Sequence, residues 1–205
     1  MKKLIVIVAS LLVAVSAHAQ FGVVAGITSS KTNYKDAYAD AKNITQYHVG
    51  VTYKFALGDI LAVQPSILYN MKGTKLGELK STTDLDLKTG YIEVPVQLQL
   101  GFGLGDLARI YGFAEPFVGY AISNSVSLSG KNLSDGWADI KSKLEYGIGL
   151  GVGVELIKHV QVSVKYFWNM GEQYGLDLSK YINGATGTIG AQKANGIAAS
   201  VALLF

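Results

Sequence analysis

Past residue 19 this 205-residue chain holds two histidines, His48 and His159. A histidine base needs a nucleophile and an orienting group within hydrogen-bond reach. On an alternating strand the same-face neighbour of His48, at position 50, is Gly, so no local serine is offered. A base for serine or water, as in a lipid-modifying enzyme, is the rival reading of His48; interior packing is the simpler one. His159 follows Ile157 and Lys158 in a short turn and is read as solvated. No residue is assigned to catalysis. Gly147, Gly149, Gly151 and Gly153 have the composition of a phosphate loop, but such a loop opens a helix, and these recur at period two inside a strand-like run. They are read as small residues leaving room for Phe113, Phe117 and Phe167. The carboxylate pairs Asp36/Asp40 and Asp84/Asp86 fall short of the ~6–8 oxygens that calcium takes. Without Cys there is no disulfide, zinc-thiolate or lipidated cysteine. Neither a metal nor a cofactor is expected. What remains is six charges set singly in alternating segments: Lys54, Glu93, Glu115, Glu145, Glu155 and Lys165.

Elements must exist that position those six. The composition is 49% apolar and 16% charged, with 24 Gly and 3 Pro, which excludes a disordered chain and leans towards β structure. A net charge of +3 is too balanced for a nucleic-acid footprint. The start is a secretory signal: Lys2 and Lys3, an apolar run over residues 4–15, and the small-x-small site Ala17-His18-Ala19. The expected boundaries are a cleaved segment 1–19 and one domain over 20–205. No apolar stretch after residue 19 is long enough for a membrane helix, so the exported chain is soluble or crosses a membrane as a barrel.

Apolar residues recur at period two in eight segments, near 21–28, 47–55, 61–71, 92–102, 110–122, 144–155, 160–168 and 197–205. Every charge within them falls on the opposite phase from the apolar residues. A charge facing mid-bilayer costs ~2–4 kcal/mol, so this segregation fits a lipid-facing surface. Long polar links (30–45, 72–90, 123–143, 169–194) alternate with short ones, as in a barrel with outer loops and periplasmic turns. The prediction is a closed, antiparallel, eight-stranded transmembrane β-barrel in the outer membrane. Phe21, Phe55, Phe102 and Phe205 then fall at the periplasmic rim, and Tyr47, Tyr69, Tyr91, Tyr120, Tyr146, Tyr166 and Trp168 at the outer rim, forming two aromatic girdles. Inside, Lys54 and Lys165 face four Glu, a formal balance of −2, so a protonated or hydrated Glu is expected beside the salt bridges. A simple turn over 103–108 sets Glu115 across from Gln97.

The chain resembles the PorT-like outer-membrane β-barrels, a broad group in Bacteroidetes-type bacteria. The stretches that carry the resemblance are Phe21-Gly22-Val23-Val24-Ala25-Gly26, Gln64-Pro65-Ser66-Ile67-Leu68-Tyr69-Asn70-Met71-Lys72-Gly73, Tyr91-Ile92-Glu93-Val94-Pro95 and the terminal Phe205. The resemblance implies that Phe205 is a signal for barrel-insertion machinery; some members serve protein secretion. Pro65, Pro95 and Pro116 all lie inside proposed strands, where bulges or missing hydrogen bonds are expected. The outer links carry 12 Lys against 9 Asp and Glu, suited to lipopolysaccharide or another anionic surface, and two of them could extend as strands and bind a protein partner by edge addition. The expected role is non-enzymatic, structural or surface-interacting. A narrow pore, a secretion component and a soluble ligand-binding barrel with inverted faces are the alternatives.

Overall fold

The computed structural model describes residues 19–32, 40–42, 44–58, 60–77, 85–105, 107–128, 131–134, 143–171, 174–177, 188–192 and 194–205. Apart from Ala19, the signal segment lies outside these residues, as do Asp36 and Asp84.

The strands are β1 (Ala19–Thr32), β2 (Asp40–Lys42), β3 (Ile44–Leu57), β4 (Leu61–Gly77), β5 (Leu85–Leu104), β6 (Ala108–Leu128), β7 (Lys131–Ser134), β8 (Leu144–Leu156), β9 (Val160–Asn169), β10 (Tyr174–Asp177), β11 (Thr188–Gln192) and β12 (Ala194–Leu204). The eight long ones form the wall, in the order β1-β3-β4-β5-β6-β8-β9-β12, each antiparallel to the next. β12 pairs with β1 from Gly22↔Leu204 to Thr32↔Ala194, which closes the barrel. Closure gives every wall strand two partners, the condition for a sheet in lipid. Among the described residues no helix is long and apolar enough to cross a membrane.

Side-chain parity decides the two surfaces. Val23, Val49, Ile67, Leu98, Leu150, Val162 and Val201 point outward and are exposed. The intervening positions point into the lumen, which the described side chains fill. Four residues of β6 stand opposite the glycines of β8: Phe117↔Gly147, Glu115↔Gly149, Phe113↔Gly151 and Tyr111↔Gly153. A Cβ on Gly151 would lie 2.5 Å from Phe113 Cζ and 2.4 Å from the Val164 carbonyl oxygen. Glycine there is a packing requirement, since the ring occupies the space of the missing side chain.

The prolines leave a regular mark. The β3–β4 ladder lapses beside Pro65, between the pairs Thr52↔Ser66 and Phe55↔Val63. The β4–β5 ladder lapses beside Pro95, between Pro65↔Val96 and Leu68↔Glu93. The β5–β6 ladder lapses beside Pro116, between Pro95↔Phe117 and Leu98↔Ala114. Each proline still pairs normally with the following strand, so its absent N–H is the one directed at the preceding strand. Register is unchanged across all three gaps. The wall thus answers its prolines with missing bonds instead of bulges. Its bulge in β5–β6 lies elsewhere, between Gly90 and Tyr91.

Three tight turns close the periplasmic end. Two place a glycine at positive φ, Gly58 at 77° and Gly105 at 66°. The third holds Ile157 at 52° and Lys158 at 61°, a conformation that costs a side chain with a Cβ about 1–2 kcal/mol per residue. At the outer end β4, β5 and β6 run beyond the proposed strand ends. Their pairing continues through Leu76↔Leu85 and Leu85↔Leu128, while β2 joins β4 and β7 joins β6. Much of 72–90 and 123–143, expected as outer loops with strands that could extend into them, is sheet. β10 and β11 form a separate hairpin.

Candidate functional site: a lumen closed by ion pairs

The six charged residues of the lumen come from five strands, and cations from two more positions join them. On the periplasmic side Lys54 of β3 donates to both carboxylate oxygens of Glu155 on β8, each at 2.6 Å. These strands stand on opposite sides of the wall, so the pair spans the lumen. Gln161 donates to the same carboxylate at 2.8 Å, and Arg109 lies 4.0 Å from it. At mid-height Lys165 of β9 bonds Glu115 of β6. Gln97 donates to Glu115 at 2.8 Å, the contact that the short turn requires. Gln99 donates to Gln64 and Gln97, and Gln64 to Thr52, at 2.8, 3.0 and 3.0 Å.

At the outer end Lys72 of β4 donates to Glu93 of β5 at 2.6 Å and to Glu145 of β8 at 3.0 Å. The carboxylates are held from behind: Asn70 donates to Glu93 at 3.1 Å and Asn169 to Glu145 at 2.7 Å. The ammonium also lies over three rings, 4.5 Å from Phe117, 5.0 Å from Phe167 and 5.7 Å from Tyr91. Lys72, Glu93 and Glu145 are 1%, 1% and 0% exposed. A charge so buried is tolerable only when paired and hydrogen-bonded, which these are.

Two sequence expectations need correction. The interior balance of −2 omitted Lys72, read as loop, and Arg109, read as next to a turn. With both, four cations meet four carboxylates among the described residues. The signal was available: Lys72 continues the inward phase of Gln64, Leu68 and Asn70, and Arg109 that of Tyr111 and Phe113. Tyr91 is the second. Expected in the outer girdle, it is fully buried in the lumen. Ile92 faces out, so parity sends its neighbour inward with Glu93. The other girdle positions point outward: Phe21, Tyr47, Phe102, Tyr120, Tyr146, Tyr166, Trp168 and Phe205 are exposed, and Phe55 and Tyr69 half-buried. Tyr53 faces outward as well, its ring tilted 58° against that of Phe55 with centroids 4.8 Å apart.

His48 is buried in a hydrogen-bonded chain that the sequence could not show. Thr28 gives its hydroxyl hydrogen to Asn70 Oδ1 at 3.0 Å, so it must accept from His48 Nδ1 at 2.9 Å. His48 Nε2 then accepts from the Ser200 hydroxyl at 2.9 Å. Ser200 is 152 residues from His48 in sequence and arrives only because β12 closes on β1. The arrangement has the elements of a base and its nucleophile. Yet the cavity that Ser200 lines, shared with Gln64, Ser66, Gln97, Glu115 and Lys165, has a volume of about 20 Å³, room for about one water. Among the described residues no cluster of potential ligands could hold a metal.

Residues 14–173 match the family model described as an outer membrane protein beta-barrel domain. No curated protein sequence matches the chain. Neisserial surface protein A is a similar solved structure, with 15% identity, 91% of this chain and 99% of that one covered, and a TM-score of 0.48. The attachment invasion locus protein Ail of Yersinia pestis gives 14%, 91%, 99% and 0.43. OprG of Pseudomonas aeruginosa gives 11%, 91%, 94% and 0.44. A closed eight-stranded wall, an apolar outer surface and a family match over most of its length place the chain in the outer membrane, as a member of the outer membrane protein β-barrel domain family.

Proposed function

We propose that this chain is a closed, non-enzymatic barrel whose work is done above the membrane by the sheet that its wall strands extend. The carrying observation is that buried ion pairs occupy the lumen at three levels: Lys54–Glu155 across it, and Lys165–Glu115 and Lys72–Glu93/Glu145 between nearer strands. An eight-stranded barrel has little more than side-chain room inside, and here the room is taken. That argues against the narrow-pore reading. The extended sheet supplies two further edges, β2 and β7, for strand addition by a protein partner. Moving Lys72 into the lumen leaves 11 of the 12 outer Lys against the same 9 acids, a mild attraction for lipopolysaccharide headgroups.

The finer family assignment, PorT-like, and any part in secretion belong to this proposal too. Their support is that two of the motif stretches supply the outer ion-pair level: Asn70 and Lys72 from one, Tyr91 and Glu93 from the other. Recognition of the last strand by insertion machinery would use Phe205, exposed on the wall and tied to the Phe21 carbonyl by its own N–H at 2.7 Å. Planar-bilayer recording tests the central point. The folded barrel is expected to give no steady ionic conductance. Porin-like steps would overturn the reading.

A further inference from the structure

We propose that the outer end of the lumen is a binding site for a primary ammonium ion, and that Lys72 is its tethered occupant. The inference rests on the closed-lumen reading and says which group closes the outer end. Two carboxylates from β5 and β8, which flank Gly119 of β6, converge on one nitrogen, at 2.6 and 3.0 Å. Three rings face that nitrogen within 5.7 Å. Two amides fix the carboxylates without touching the ammonium. Every one of these groups belongs to the wall, and none comes from the strand that carries Lys72 except Asn70. Two of the rings are held independently of the lysine: Phe117 and Phe167 pack edge to face at 6.4 Å, and Phe117 fills the space over Gly147. The cage is therefore built by the fold around a charge, and its occupant is delivered by one flexible side chain.

The chemistry of the cage defines its ligand. Carboxylates at hydrogen-bond distance require N–H donors, and the rings accept the remaining cationic face. A primary alkylammonium meets both demands; a quaternary ammonium has no N–H to give. When the Lys72 side chain is removed, a lysine-like amine, free or carried by a partner, meets the same groups.

The test is chemical rescue of Lys72→Ala in the purified full-length barrel. Urea unfolding is followed by the gel shift between boiled and unboiled samples. Lys72→Ala leaves two buried carboxylates without their cation, so its midpoint falls. Tens of millimolar propylammonium chloride is expected to recover at least half of that loss, and tetramethylammonium or sodium chloride at equal ionic strength much less. The Lys72→Ala/Glu93→Gln/Glu145→Gln variant, with its cage uncharged, is expected to ignore all three salts. No recovery with propylammonium, equal recovery with all three salts, or a Lys72→Ala chain that fails to fold with and without the amine overturns the proposal. Wild-type protein is expected to be indifferent because Lys72 fills the site. A wild-type response equal to the variant's would instead overturn the closed-lumen reading on which the inference rests.

Discussion

Replacing Lys54 by Met tests whether the lumen is held by its ion pairs or only filled by them. Lys54 is 4% exposed and Glu155 3%, and the ammonium sits 2.6 Å from both carboxylate oxygens. Removing one partner of such a pair costs about 3–5 kcal/mol, because the other charge stays buried without its counter-ion. Glu155 keeps the Gln161 amide and gains weight from Arg109 at 4.0 Å, which puts the loss near the lower end, about 3 kcal/mol. With a urea slope of about 2 kcal/mol per molar, the unfolding midpoint falls by roughly 1.5 M. Lys54→Met/Glu155→Leu removes both charges and the desolvation burden together. It should lie within about 1 kcal/mol of the parent, since well-packed apolar replacements of buried pairs are often neutral. The assay is urea unfolding of the vesicle-inserted barrel, read by gel shift on unboiled samples. If Lys54→Met unfolds within about 0.5 kcal/mol of the parent, or if the double variant is no better than the single, the ion-pair account of the lumen is wrong.

Three further outcomes follow from the geometry. Tyr91→Ala should cost about 3–5 kcal/mol by emptying a packed site under Lys72, whereas Tyr120→Ala, on the lipid face, should cost far less; equal losses would restore Tyr91 to the girdle. Ile157→Asn with Lys158→Gly should gain about 1–2 kcal/mol in the same unfolding assay, since both positions sit at positive φ in the β8–β9 turn. Pro116→Val adds an N–H directed at β5. It should stabilise by about 1 kcal/mol and slow amide exchange near Val96, and unchanged exchange would show that the gap has another cause.

Period-two alternation and charge segregation determined the wall, its topology and its two surfaces, because a sheet between lipid and a polar lumen forces opposite chemistry on successive residues. The alternation also placed Lys54, Glu93, Glu115, Glu145, Glu155 and Lys165 on one phase. It did not say where each strand ends. Lys72 therefore reads as loop although its phase matches Asn70, and the aromatic type of Tyr91 points to the girdle against its own parity. Gln97–Glu115, across one hairpin, is legible from its turn, whereas partnership between strands far apart in the chain is not. Lys54 meets Glu155, 101 residues away, because closure of the wall sets β3 opposite β8, and His48 meets Ser200, 152 residues away, because β12 closes on β1, where Gly26 leaves room between them. The register of each hairpin is local and legible from its turn. The distance across a barrel depends on how all eight strands close together, which no single hairpin specifies.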